Sequence, residues 1–184
     1  DAGRDPGCRV IVITGAGRGF CAGADMERLQ SVAEDGAGDS AAHGAAAEAP
    51  MVAPGPDLGN LYPGLFGYMY DCPKPIIAAI NGPIAGIGMA MSLFTDLRFA
   101  SEDAIFTTAF AARGLIAEHG MAQLLPRLIG EAQALDLLLS ARKFTGAEAA
   151  AMGLVNQALP GDQLMPHVTA LAQTLATQVS PRSM

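Results

Sequence analysis

The amino-acid sequence predicts an α/β fold. Two apolar runs rich in β-branched residues, at 9–14 and 76–80, have the continuous hydrophobicity of parallel strands that are covered on both faces. Segments with the spacing and end signals of helices alternate with such strands, and this alternation is typical of the class. A length of 184 residues suits one hydrophobic core, so we expect a single domain over residues 1–184.

The first predicted strand, residues 9–14, ends at a glycine-rich turn over residues 15–19. Residues 31–60 are rich in alanine, glycine and acidic residues and hold no lasting apolar period, so we expect a surface excursion that is partly flexible. The sequence has no initiator methionine, and its last five residues resemble the start of a helix. We therefore expect a fragment, truncated at both ends.

Residues 75–95 contain no charged side chain, and a hydropathy window would select them as a membrane span. An Asn-Gly-Pro turn divides the stretch into a short strand at 76–80 and a buried helix from about Gly86, which ends near Asp96. We therefore predict no membrane partner.

The rest of the chain predicts short strands and helices. The strands are expected at 97–100 and 105–107, and the helices at 121–129 and 131–140. Thr145 is followed three residues later by Glu148, which is the capping-box pattern at a helix start. This helix is expected to stop at Gly153, and a last helix to follow Asp162.

Charge and cysteine content exclude several classes of protein. Eleven basic against eighteen acidic residues give a net charge of −7, and no basic stripe could follow a phosphate backbone, so we expect no nucleic-acid partner. The three cysteines are an odd number without metal-ligand spacing, which predicts no metal site. The sequence opens without a basic and apolar leader, and together with the cysteine usage this predicts a cytoplasmic protein.

The motifs of several common sites are incomplete or absent. The turn at Gly15 and Gly17 has Phe20 where a dinucleotide-binding loop needs its third glycine, and no P-loop or nucleophile-elbow motif occurs. What remains is a pair of glycine-rich turns, residues 19–25 and 81–88, whose small residues let a ligand approach the backbone. Two such turns can form an oxyanion hole. The alternative is that they are tight turns in a closely packed fold.

Two segments resemble the signature of the crotonase (enoyl-CoA hydratase/isomerase) superfamily: G-R-G-F-C-A-G-A-D after R-V-I-V-I-T-G, and K-P-I-I-A-A-I-N-G-P-I-A-G-I-G. The similarity continues through D-L-R-F-A at 96–100 and covers nearly the whole chain apart from residues 31–60. It implies the ClpP/crotonase fold, a spiral of stacked ββα units with peripheral helices. It also implies an acyl-CoA thioester substrate, no cofactor beyond coenzyme A as part of that substrate, and a homotrimer or dimer of trimers.

The resemblance also implies which residues form the site. It assigns the oxyanion donors to the backbone N–H groups of Ala24 and Ile87. The residues that it places against the bound CoA are Cys21, Ala22, Gly23, Ala24, Asp25, Gly86 and Ile87. The family often has glycine at the position of Ile87. Only the main-chain N–H is needed there, so the hole survives if the backbone of Ile87 is not forced to a positive φ.

The acid/base residues depart from the usual pattern. Typical hydratases of the family carry two glutamates, at positions held here by Ala90 and Phe110. The run G-L-I-A-E instead puts Glu118 where some isomerases of the family hold their catalytic acid. One such carboxylate can move a proton between two carbons. The alternative is that Glu118 stabilises the following helix through its dipole, and His119 is expected to be supporting or exposed.

The favoured activity is therefore enolate-mediated proton transfer, or double-bond isomerisation, on an enoyl-CoA with a single glutamate. Hydration is the first alternative, with a second carboxylate supplied by residues 26–60 or by parts of the protein outside this sequence. A hydrolase or a C–C-cleaving enzyme is a further one. A non-catalytic acyl-CoA-binding or scaffold subunit is the alternative of another class.

Overall fold

The computed structural model describes residues 2–23 and 65–183 of the chain. The strands in these ranges are β1 (Ile11–Thr14), β2 (Ile76–Ile80), β3 (Ile84–Ala85), β4 (Leu97–Ser101), β5 (Ile105–Thr107), β6 (Phe144–Thr145) and β7 (Gln157–Leu159). The helices are α1 (Ile87–Leu93), α2 (Met121–Ile129), α3 (Glu131–Ser140), α4 (Gly146–Ala151) and α5 (Gly161–Gln178), with 3-10 turns at Gly67–Met69 and Ala111–Arg113. The predicted surface excursion, residues 31–60, lies outside the described residues.

The described strands form two sheets. The larger has the order β1-β2-β4-β7, and all its neighbouring strands run parallel. In its centre Ile77 lies between Val12 of β1 and Leu97 of β4. The smaller sheet has the order β3-β5-β6, with β3 parallel and β6 antiparallel to β5. Strands and helices alternate along the chain, so the predicted α/β class is confirmed.

Strand β2 is buried on both faces and separates two hydrophobic cores. Ile76, Ala78 and Ile80 face the larger core, which also takes apolar residues from α1, α2, α3 and α4. Ile77 and Ala79 face a smaller core with residues of α5. The uncharged stretch 75–95 is thus a buried strand, a turn and a buried helix, as predicted. In the described ranges no helix is both long enough and apolar enough to cross a membrane.

Most predicted elements lie where the sequence placed them, and the exceptions are short. Strands at 76–80 and 105–107 and helices at 121–129 and 131–140 have the predicted bounds. The helix expected from Gly86 to near Asp96 ends earlier, at Leu93. The sequence did not predict β3, β6 or β7, which have two or three residues each. Strands this short owe their conformation to the neighbouring strand, so they leave little local pattern.

Arg98 is a buried cation in β4. Its guanidinium donates hydrogen bonds to the carbonyl oxygens of Thr95 and Leu154. Its backbone N–H donates to Asn156 Oδ1 at 2.8 Å, and its carbonyl accepts from the Asn156 N–H at 2.7 Å. Burial lowers the pKa of Arg98 from its ordinary value. The side chain therefore ties the end of α1 and the segment before β7 to the larger sheet.

Candidate functional site

The described part of the first glycine-rich turn, residues 19–23, lies beside the second, residues 81–88. The backbone N–H groups of Phe20 and Cys21 donate to Pro83 O at 3.1 and 3.2 Å. In return the Ala85 N–H donates to Cys21 O at 2.9 Å, and Cys21 pairs with Ile84 in an isolated β-bridge. The segment after β1 is thus hydrogen-bonded to the segment that leads from β2 into α1.

Close backbone contact explains two glycines of these turns. A Cβ on Gly88 would lie 2.5 Å from Cys21 O and 2.7 Å from Cys21 Sγ. A Cβ on Gly82 would collide with the backbone carbonyl of Arg18. Because real Cβ atoms do not approach backbone this closely, only glycine permits the observed packing. The start of α1 is therefore fixed against Cys21.

Ile87 is the first residue of α1. Gly86 precedes it with φ 51° and ψ −117°, and its N–H donates to Thr107 O at 3.2 Å. The left-handed conformation thus falls on the glycine, and Ile87 itself has helical backbone. The condition for an isoleucine at this position is therefore met, because Ile87 is not at a positive φ. Among the described residues no side chain caps this helix, and the N–H group of Ile87 stands in the first turn, where an α-helix provides no acceptor.

The described CoA-binding candidates lie at this junction, and the other two lie outside the described residues. Cys21 is a half-buried free thiol, and Ala22 is exposed. A Cβ on Gly23 would lie 3.3 Å from Ala85 O, so this residue also packs on the segment before α1. Ala24 and Asp25 lie outside the described residues. Their assignment to the oxyanion hole and to CoA therefore stays a prediction.

Ala90 and Phe110 occupy core positions. Ala90 is completely buried and Phe110 is 8% exposed, and both belong to the larger hydrophobic core. A carboxylate at either position would need polar partners, whereas the neighbours given by this core are apolar. The structure thus agrees with a site that does not use two glutamates at these positions.

Glu118 lies on the loop between the 3-10 turn at Ala111–Arg113 and α2. Its side chain is 30% exposed, and its carbonyl accepts a hydrogen bond from the Met121 N–H at 3.0 Å. Its Oε2 atom lies 3.7 Å from Nε2 of His119. The carboxylate therefore precedes α2 as predicted, and it is accessible enough to exchange a proton with a ligand.

An aromatic cluster supports this loop. The Phe66 ring meets the Phe94 ring at 6.1 Å and the His119 ring at 6.2 Å between centroids, and Tyr70 meets Phe94 at 5.2 Å. A Cβ on Gly120 would lie 2.9 Å from the tip of Phe94. This cluster was not predicted from the sequence. Since only 5% of the chain is aromatic, the run F-G-Y-M-Y at 66–70 was the available signal.

Helix α1 connects the two parts of the candidate site. Its first residue, Ile87, stands at the glycine-rich turns, and its C-cap residue, Phe94, packs against the loop of Glu118. One end of the helix thus carries the N–H group of Ile87, and the other packs against Gly120, two residues after Glu118. In the described part of the chain, no group of three or more histidine, cysteine or acidic side chains is placed to hold a metal ion.

Comparison with known proteins identifies relatives of the chain. The enoyl-CoA hydratase/isomerase family matches residues 55–183. A probable enoyl-CoA hydratase of Rhodobacter capsulatus is 38% identical over 168 residues, which cover 91% of this chain and 58% of the relative. A 1,2-epoxyphenylacetyl-CoA isomerase of Escherichia coli is 35% identical over 179 residues, which cover 95% of this chain and 62% of the relative.

Solved structures show the same fold. A probable enoyl-CoA hydratase/isomerase from Mycobacterium abscessus superposes with a TM-score of 0.78 at 30% identity, covering 99% of this chain and 63% of that one. The chain thus spans about three fifths of the length of the proteins it matches. The family match, the sequence relatives and the shared fold agree with the crotonase resemblance, and the chain belongs to the enoyl-CoA hydratase/isomerase family.

Proposed function

We propose that the protein moves a double bond along the acyl group of an enoyl-CoA thioester by proton transfer through an enolate. Family membership supports the acyl-CoA substrate class. The observation that carries the choice of reaction is that, of the three positions where the family holds acid/base residues, only one has a carboxylate here: Glu118 is partly exposed, while Ala90 and Phe110 are buried and apolar. A single group that both takes and returns a proton is sufficient for isomerisation.

In the proposed reaction the Glu118 carboxylate removes a proton from one carbon of the acyl group. The electron pair of that C–H bond shifts the double bond and places negative charge on the thioester oxygen. The protonated Glu118 then returns the proton to another carbon as the charge moves back. The product is the shifted enoyl-CoA, with no net gain or loss of atoms, so the reaction needs no further cofactor.

The backbone N–H groups of Ile87 and Ala24 are proposed to stabilise the enolate oxygen. Support comes from Ile87, whose N–H stands at the uncapped start of α1 on a backbone fixed by Gly88 against Cys21. Donors that are already oriented stabilise developing charge without reorganisation. The CoA moiety is proposed to lie along Cys21, Ala22, Gly23, Asp25 and Gly86. We also keep assembly as a homotrimer or dimer of trimers as a proposal.

Hydration of a 2-enoyl-CoA is the second candidate. It is favoured by the Rhodobacter capsulatus relative, which is named a probable enoyl-CoA hydratase. Water addition uses one group to activate water and another at the α-carbon. The described ranges place no second carboxylate at the two usual positions, so this candidate needs one from residues 26–60 or from outside this sequence.

The experiment that separates these activities uses the full-length protein with 2- and 3-enoyl-CoA thioesters in deuterated water. Isomerisation shifts the double bond without adding water, and deuterium enters the new C–H bond only to the extent that protonated Glu118 exchanges with solvent before it returns the proton. Hydration adds the elements of deuterium oxide, and hydrolysis releases a free acid. A non-catalytic acyl-CoA-binding subunit gives binding and no product, which would contradict the proposal.

The first prediction concerns Glu118→Gln, which keeps the size of the side chain but removes its basicity. Turnover should fall on the order of 10²-fold, while CoA affinity stays nearly unchanged, because the carboxylate acts on the proton and not on CoA. Steady-state kinetics and CoA titration measure the two quantities.

Glu131→Gln is the matched control, because Glu131 is an exposed carboxylate in the first turn of α3. If Glu118 acts only on the helix dipole, both variants lose under about 1 kcal/mol of unfolding free energy and keep their turnover. Normal turnover in folded Glu118→Gln would refute the one-carboxylate mechanism.

A further inference from the structure

The residue after Glu118 has a left-handed backbone conformation, which is uncommon for residues other than glycine. His119 has φ 53°, and Gly120 follows with φ 79°, so two consecutive residues are left-handed. Glycine adopts this region freely, and among other residues asparagine, aspartate and histidine adopt it most often, although it is uncommon for all of them. The loop therefore keeps a histidine in an uncommon conformation beside the carboxylate, which is a reason to ask what its side chain does.

This backbone conformation places the imidazole between the carboxylate and the aromatic cluster. On one side its Nε2 lies 3.7 Å from Glu118 Oε2. On the other side the ring meets Phe66 edge-on, with 6.2 Å between centroids, and Phe66 is itself packed on Phe94. The His119 side chain is 22% exposed, so most of it is held in place by these neighbours.

We propose that His119 is a positioning residue for Glu118. Its Nε2–H group engages Oε2 and leaves Oε1 directed at the substrate, so that the carboxylate is oriented before the acyl group arrives. The observed separation is slightly longer than a hydrogen bond, and catalytic contacts of this kind tighten when the ligand binds. This inference rests on the proposed function, because it assigns His119 a role only through the Glu118 carboxylate.

Two substitutions separate this role from a structural one. His119→Asn suits the left-handed backbone, but its amide ends where the near ring nitrogen stood and does not reach Oε2. His119→Gln suits this backbone less well, yet it can place an N–H donor near the position of Nε2. A structural role therefore predicts that asparagine is the better replacement. Positioning predicts that glutamine is the better one.

The test measures kcat, KM and the thermal unfolding midpoint of both variants in the full-length protein, on the enoyl-CoA substrate that it turns over fastest. We expect His119→Asn to be as stable as the parent with kcat about tenfold lower and KM unchanged, and His119→Gln to keep kcat within about threefold. Full activity in His119→Asn, or no advantage of His119→Gln over it, would overturn the inference.

A double-mutant cycle shows whether His119 acts through Glu118. In the Glu118→Gln background, His119→Asn should cause no further loss of kcat, because the oriented group is already gone. The same fractional loss in both backgrounds would overturn the inference. The two proposals fail separately: full turnover in Glu118→Gln refutes the proposed function, whereas impaired Glu118→Gln with fully active His119→Asn refutes only the positioning role.

Discussion

Two short helices, α1 and α4, both begin after a short strand, but their first turns differ in how the N-cap residue contributes to them. Each follows a two-residue strand, β3 or β6, and these strands flank β5 on opposite edges of the smaller sheet. At α4 the Glu148 N–H donates to Thr145 Oγ1 at 3.2 Å, and the Thr145 N–H donates to Glu148 Oε2 at 2.8 Å. At α1 the N-cap is Gly86, which makes no side-chain cap.

The two helix starts are stabilised by different groups. The hydrogen bond from Thr145 and the proximity of Arg142 hold the pKa of Glu148 below its ordinary value, so α4 is closed by its own ionised side chain. Helix α1 lacks such a cap and is held by backbone packing, through Gly88 on Cys21. The cap of α4 thus stabilises its first turn. At the start of α1, the N–H group of Ile87 is the proposed donor to the thioester oxygen.

The largest effect is expected at the start of α4, in Gly146→Ala. The added Cβ would collide with the Ser101 carbonyl, a backbone atom in the larger sheet. We expect a loss of about 3 kcal/mol in unfolding free energy, measured by denaturant titration. Gly161→Ala is the matched control, since Gly161 also begins a helix and its Cβ would lie 3.4 Å from Ser101 Oγ. It should change stability by less than about 0.5 kcal/mol, and equal losses in both variants would contradict the packing argument.

The next effect is expected at the start of α1, in Ile87→Pro. Proline is tolerated at the first position of a helix, so the fold should persist while the N–H donor is lost. Turnover should fall on the order of 10²-fold, equivalent to about 2.7 kcal/mol in activation free energy. Ile87→Gly keeps the N–H group and should retain most of the activity in the same assay. Equal activity of the two variants would exclude this amide as an oxyanion donor.

The smallest effect is expected for Thr145→Ala, which removes the side-chain cap of α4. It should lower unfolding free energy by about 1 kcal/mol and leave kcat and KM unchanged. Thermal unfolding and steady-state kinetics on one preparation measure both. A change in kcat without a change in stability would show that α4, too, takes part in the reaction.

The sequence predicted elements whose signals are local. Strand β2 is a run of five apolar residues, and the start of α4 carries its capping box in the sequence, so both could be located without tertiary information. Strand β7 begins with an exposed Gln157, and its conformation comes from pairing with Phe99 and its neighbours. Its position depends on contacts between residues far apart in the chain.

The sequence predicted which residues belong to the candidate site better than it predicted the contacts that they make. The resemblance located Ile87 and Glu118, and the structure places them at the start of α1 and on the loop before α2. It could not indicate that Phe66 would meet His119, because that contact joins distant segments. The left-handed backbone of His119 was not predicted either, because glycine is the residue expected in that conformation.

The strand order of the larger sheet has a consequence for a shortened chain. Each successive strand lies at the same edge, so a chain without residues 157–159 would leave that edge of β4 without its partner β7. Arg98 lies in that edge strand, and a charged side chain there disfavours pairing with another molecule. In the complete sheet the Arg98 side chain donates to Leu154 O, and its backbone N–H donates to Asn156 Oδ1. The charge that would disfavour edge pairing in such a shortened chain is thus a buried, hydrogen-bonded part of the complete sheet.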